Sequence, residues 1–115
     1  MKVKSEFLCD LNELEPLYTR AFYSTLYQKK VIVLLYEKQI YAWLDACPHY
    51  AQATPMSWKN DQYLSEDHKF IKCFAHGALF NFQTGDCVQG PCMGKKLTSV
   101  NIAIVNNQLY CLRNI

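Results

Sequence analysis

Two segments of this chain each bring a thiol and an imidazole close enough to reach one centre from one loop: Cys47-Pro48-His49 and Cys73-Phe74-Ala75-His76-Gly77. Each follows a run with strand character, Ile40-Tyr41-Ala42-Trp43-Leu44 before the first and Phe70-Ile71-Lys72 before the second. Each pair therefore sits where a strand opens into a loop. The 23 residues from 50 to 72 leave room for the two loops to face each other at one end of a sheet.

The rest of the sequence supplies such a sheet. Val31-Ile32-Val33-Leu34-Leu35-Tyr36 is apolar and rich in β-branched residues. After the polar turn Glu37-Lys38-Gln39 it is followed by the run at 40–44, which reads as a hairpin. Val100, Ile102 and Ile104 alternate with smaller or polar residues. Asn106-Asn107 then leads into Leu109-Tyr110-Cys111-Leu112, a second hairpin, because Asn tolerates the positive φ that tight turns require. Phe70–Cys73 and Ala78–Phe82, with a turn at Thr84-Gly85-Asp86, predict a third pair, and the segments around Phe7 and from Thr19 to Leu26 predict further strands. Helix is scarce: Asp10 and Glu13 have capping-box spacing, and Pro16 stops that helix after about one turn. The expectation is an all-β chain of antiparallel strands, sandwich-like or barrel-like, with irregular stretches at 46–68 and 85–97.

Composition excludes several classes. At 115 residues the chain fits one domain, 1–115. Twelve basic and ten acidic residues leave a net charge of +2, too mild to name nucleic acid as a partner. The longest apolar run, 31–36, is too short to span a bilayer, and no hydrophobic segment follows the basic start, so no membrane association and a cytoplasmic location are expected. Six cysteines fall below the density of a disulfide scaffold, and in a reducing compartment they read as metal ligands, reactive thiols or core residues. Cys9 and Cys111 lie in or beside predicted strands and read as core thiols. Cys87 and Cys92 flank Gly90-Pro91 and read as two ordinary thiols, with proximity to the site or an oxidised bridge as the other readings. His68 reads as exposed, Asp45 as closing a strand, and Trp43 and Phe82 as core.

The pattern C-x-H, spacer, C-x-x-H resembles that of the Rieske iron–sulfur proteins. The likeness extends to Pro48, to Gly77, to the stretch His76–Gly85 and to Gly90-Pro91, which is similar to the family's third, proline-containing loop. It covers the chain from about Phe7 to Leu112. The resemblance implies a Rieske-type antiparallel β-sandwich with a small cluster-binding subdomain at approximately 45–92. It implies one [2Fe-2S] cluster per chain, with Cys47 and Cys73 on one iron and His49 and His76 on the other. Two neutral imidazoles in place of two thiolates make the centre less negative and easier to reduce, within roughly −150 to +300 mV. Family members of high potential carry a Ser and a Tyr where Ala78 and Phe80 stand here. They also bridge two loop cysteines, for which Tyr50 and Phe74 offer no thiol, so the resemblance implies a low-potential, ferredoxin-type centre. The spacer is longer than the family's usual one, with Lys59-Asn60-Asp61-Gln62 as the added material, and Tyr50-Ala51-Gln52 departs from the usual basic residue and glycine.

The function implied is a one-electron carrier between a ferredoxin reductase and an oxygenase or other redox acceptor, most simply a monomer that turns over no substrate alone. The chain has no nucleotide-binding glycine motif and no flavin signature. Two alternatives stay open. One is a Rieske-like small subunit of a nitrite reductase or another multi-component oxidoreductase. The other is a zinc-binding interaction module, although one residue between Cys47 and His49 is tighter than the ~2–4 usual between paired zinc ligands.

Overall fold

The computed structural model describes residues 2–48, 55–57, 59, 61–74 and 77–114. Nine antiparallel strands make three three-stranded sheets among these residues. β1 (Val3–Asp10), β9 (Gln108–Asn114) and β8 (Asn101–Val105) form one, in the order β1-β9-β8. β2 (Thr19–Ser24), β3 (Lys29–Tyr36) and β4 (Gln39–Leu44) form the second. β5 (Ile71–Cys73), β6 (Ala78–Phe80) and β7 (Cys87–Gln89) form the small third sheet. The only helical element among the described residues is a 3-10 turn, Leu11–Glu13, where the Asp10 amide donates to the Glu13 carboxylate at 2.9 Å.

The unbroken apolar run of β3 explains how these sheets stack. A strand with one wet face alternates apolar and polar residues, whereas a strand covered on both faces does not. Val31 and Val33 point into a core shared with Leu8, Cys9, Leu109 and Cys111 of the β1-β9-β8 sheet. Ile32 and Leu34 point the other way, into a core shared with Ile71, Cys73, Ala78 and Phe80 of the third sheet. The β2-β3-β4 sheet is thus a central partition. A β-bulge where β1 passes Leu8 lets the consecutive residues Leu8 and Cys9 both be buried.

Turn chemistry follows the sequence with two departures. Asn106 and Asn107 take φ of 51° and 63° and close the β8–β9 hairpin. The β3–β4 turn is shorter than expected: Gln39 already pairs with Tyr36, so Glu37 and Lys38 alone occupy positive φ, 48° and 66°. β6 stops at Phe80 rather than Phe82, because the Asn81 side chain accepts from the amides of Gln83 (2.8 Å) and Thr84 (3.1 Å) and bends the chain out of the strand. The stretch 85–97 is not wholly irregular, since it contains β7.

Candidate metal centre

Cys47 lies just past the end of β4, and the chain leading to it is anchored on both sides. Leu44 donates to the Thr98 carbonyl and Asp45 to the Lys30 carbonyl, both at 2.9 Å. Cys73 is the last residue of β5, and the Gly77 amide returns to its carbonyl at 2.7 Å, closing the second loop. Both cysteines are fully buried and belong to the same core, with Met56, Tyr63, Phe80 and Cys92. His49 and His76 lie outside the described residues. Among the described residues no group of three or more His, Cys, Asp or Glu side chains is gathered to hold a metal ion. His68 is exposed, as expected, with its ring edge-on to Tyr18.

Two residues that carry no signature in the sequence organise the loops. Asp45 is buried, and its carboxylate accepts from the Met56 amide at 2.7 Å and from the Tyr63 hydroxyl at 2.8 Å. The Met56 carbonyl in turn accepts from the Phe74 amide at 2.8 Å. One peptide thereby ties the first loop to the second. Tyr63 is fixed from behind by the Thr19 hydroxyl at 3.2 Å, and its carbonyl accepts from the Lys72 amide at 2.8 Å. Burial raises the Tyr63 phenol well above its ordinary value, and its hydrogen bond to Asp45 raises it further, so it stays a donor.

The long spacer is anchored to the central sheet. Asp61 accepts from the Ala21 amide at 2.7 Å, pairs with the Arg20 guanidinium at 3.2 Å, and receives the Thr19 hydroxyl on its carbonyl at 2.7 Å. Asp61 of the spacer therefore grips β2.

The third loop reaches the site as well. Gly90 (φ +101°) packs so closely on β6 that a Cβ there would lie 2.8 Å from the Ala78 Cα. Two residues on, Cys92 is fully buried with its sulfur 3.9 Å from that of Cys47. Burial, then the neighbouring Cys47, Cys87 and Cys73, push the Cys92 thiol up to about 12. Cys92 thus lies against Cys47 across 45 residues of sequence, the proximity that is one reading of its place beside Gly90-Pro91. Cys87 is also buried, its thiol donating to the Gln89 carbonyl at 3.3 Å. Cys9 and Cys111 are core thiols of the other core, as expected. Ala78 and Phe80, both fully buried, bring no hydroxyl to the second loop.

The Rieske [2Fe-2S] domain description matches residues 6–114. A search of curated protein sequences finds no match. Among solved structures, the ferredoxin of carbazole 1,9a-dioxygenase from Nocardioides aromaticivorans IC177 superposes with a TM-score of 0.71 at 18% identity, covering 94% of this chain and 96% of that one. A chain in the complex of reduced oxygenase and oxidised ferredoxin of carbazole 1,9a-dioxygenase gives 0.71 at 22% identity, over 93% of this chain and 91% of that one. A protein assigned as the small subunit of an NADPH nitrite reductase gives 0.64 at 18% identity, over 96% and 99%.

Proposed function

This chain belongs to the Rieske [2Fe-2S] domain family, and from that premise we propose that it is a one-electron carrier whose cluster is held by Cys47, His49, Cys73 and His76. The cluster supplies reversible one-electron chemistry when bound, at a potential set by its mixed ligands and by the hydrogen bonds its sulfurs receive. The donor set fits: Cys47 and Cys73 are two soft thiol ligands buried in one core, one just past β4 and one at the end of β5. The Asp45–Met56–Phe74 connections hold the two loops together, and the apolar surroundings keep bulk water from the thiolate side. In this reading 1–115 is one domain, with 45–92 as the cluster-binding subdomain, and the absence of hydroxyls at 78 and 80 places the potential toward the lower part of the family's range.

The observation that carries the proposal is the family match over 6–114 together with Cys47 and Cys73, one just past β4 and one at the end of β5, buried in one core. The partners proposed are a ferredoxin reductase as donor and an oxygenase or similar acceptor. The resemblance to a ferredoxin seen in complex with its oxygenase supports this choice. A monomer in the cytoplasm fits such a shuttle, and no helix among the described residues is long and apolar enough to cross a membrane. The likeness to a nitrite reductase small subunit supports a second reading, in which the chain is a fixed component of a larger oxidoreductase.

The test is absorption and EPR spectroscopy of anaerobically prepared protein before and after dithionite, with iron and acid-labile sulfide analysis. A red-brown protein that bleaches and gives a rhombic signal supports the assignment. A colourless protein holding one zinc and no sulfide overturns it, as does full retention of the cluster in a Cys47→Ala, His49→Ala or His76→Ala chain. Reduction of the isolated chain by a separate reductase supports the carrier, and co-purification with a large flavin or haem subunit supports the second reading.

A further inference from the structure

Cys92 has no part in the ligand set, yet its sulfur is 3.9 Å from that of Cys47, a separation at which either thiol could donate a hydrogen bond to the other. Iron coordination removes that ambiguity. A cysteine binds metal as the thiolate, so a ligating Cys47 has no proton to give. The Cys92 thiol is then the donor of the pair and the Cys47 sulfur the acceptor. The contact is fully buried, so bulk water does not compete for it.

The third loop holds this thiol in place by two separate means. Gly90 lies against the Ala78 backbone, which fixes the loop's approach to β6. The Cys92 carbonyl accepts from the Lys95 amide at 2.8 Å, and the Lys95 carbonyl accepts from the Cys87 amide at 3.0 Å, so the loop closes on itself and on β7. The side chain is left directed at Cys47, within the core that also contains Cys73.

Resting on the ligand assignment above, we propose that Cys92 is a potential-setting residue: its thiol hydrogen-bonds the iron-bound Cys47 sulfur and holds the cluster's reduction potential above that of the same chain without this donor. Reduction adds negative charge that is shared with the ligand sulfurs. A donor aimed at one of them interacts more strongly with the reduced state than with the oxidised one, and so favours electron uptake. With no side-chain donor at Ala78 or Phe80, a thiol from the third loop supplies one to the same centre from a different direction.

The experiment compares wild type, Cys92→Ala and Cys92→Ser, each prepared anaerobically and confirmed to hold two irons and two sulfides per chain on the [2Fe-2S] reading. Midpoints are read by potentiometric titration, and exchangeable protons near the reduced cluster by ENDOR before and after transfer to D2O. The expected result is a midpoint shifted downward in Cys92→Ala with loss of one exchangeable coupling. Cys92→Ser, whose hydroxyl can still donate, keeps that coupling and a midpoint at or above wild type. An unchanged midpoint in Cys92→Ala overturns the proposal. So does an equal shift in the alanine and serine chains, which would mark a packing effect. If the alanine chain does not retain the cluster, Cys92→Val fills the space without a proton and takes its place under the same criteria. Failure of the ligand assignment is read separately, as a Cys47→Ala chain that keeps its cluster.

Discussion

The Met56 amide donates to Asp45 Oδ1 at 2.7 Å, and this one contact closes the segment of chain that carries Cys47 and His49. Asp45 also holds the Tyr63 hydroxyl, so both of its oxygens are engaged by buried donors. Replacing Asp45 by Ala orphans both donors, at about 1–3 kcal/mol each. We expect Asp45→Ala to lose on the order of 2–4 kcal/mol of stability and to lose visible absorbance faster than wild type. Tyr63→Phe removes one hydrogen bond and keeps the loop closure, so its loss is smaller. Urea denaturation and the half-life of the cluster absorbance check both expectations.

Gly90 and Gly94 offer a paired test of how the third loop is seated. Both sit at positive φ, +101° and +89°, so alanine at either meets backbone strain of about 1–3 kcal/mol. Only at Gly90 does the new Cβ also strike backbone, 2.8 Å from the Ala78 Cα, whereas at Gly94 nothing lies within 4 Å. Gly94→Ala should therefore lower the denaturation midpoint modestly and keep full iron content. Gly90→Ala should push the loop off β6, with a larger loss of stability and a lower iron-to-protein ratio.

What could be seen in the sequence was what depends on near neighbours. The run Val31–Tyr36 announced a strand because it is apolar and rich in β-branched residues, and Asn106-Asn107 announced its turn because Asn accepts positive φ. β7 was not visible. It is three residues long with Val88 and Gln89 exposed, and it exists because Cys87 pairs with Phe80 on one side and its amide meets Lys95 on the other. The candidate site divides in the same way. Cys47 and Cys73 stood out through their spacing to histidines, whereas Asp45 looked like a strand end until Met56 and Tyr63, eleven and eighteen residues on, were seen to converge on it. Cys92 was marked only by its place beside Gly90-Pro91, and its partner, 45 residues away, could not be read.

Because the two cores lie on opposite faces of β3, losing the cluster should unfold one end of the molecule and spare the other. The core between the β1-β9-β8 and β2-β3-β4 sheets includes neither Cys47 nor Cys73. The core beneath the third sheet includes Cys47 and Cys73. Metal binding to such loops is also folding free energy for them. After removal of the cluster by acid and chelator and return to neutral pH, amide exchange should accelerate at Met56, Phe74 and Gly77 and stay slow at Val31 and Val33. Equal acceleration across both sets would mean that the chain unfolds as one unit.

The surface around the site bears on docking. Residues 46–58 and 73–83 carry no formal charge, and Phe74 is 38% exposed. Among the described residues, Lys72 Nζ lies 5.1 Å from the Phe74 ring centroid and Lys59 lines a cavity with Phe74. Neutral loops flanked by charges of both signs, Lys59 and Lys72 against Asp61 and Glu66, give weak long-range steering. The electron-transfer rate to an acceptor should fall only slightly with added salt, and Lys72→Gln should reduce that slope. A steep salt dependence that survives in Lys72→Gln would show that docking uses another, charged face.

Acid stability should hinge on Glu6, which joins β1 to the turn after β2. Its carboxylate accepts from the Ser24 and Thr25 hydroxyls, each at 2.6 Å, and from the Thr25 and Leu26 amides at 3.0 and 3.4 Å. Burial alone would raise its pKa, but these four donors outweigh that effect and lower it from 4.5 to about 2. The folded value lies below the unfolded one, so the folded state prefers the ionised carboxylate. The resulting stabilisation is complete above about 4.5 and is lost as pH falls from there through about 2. Glu6→Gln cannot make this exchange with solvent protons. Its urea midpoint should be lower than wild type at neutral pH, and the gap should narrow steadily below pH 4.5. A constant gap down to pH 2 would mean that Glu6 acts through packing rather than through its charge.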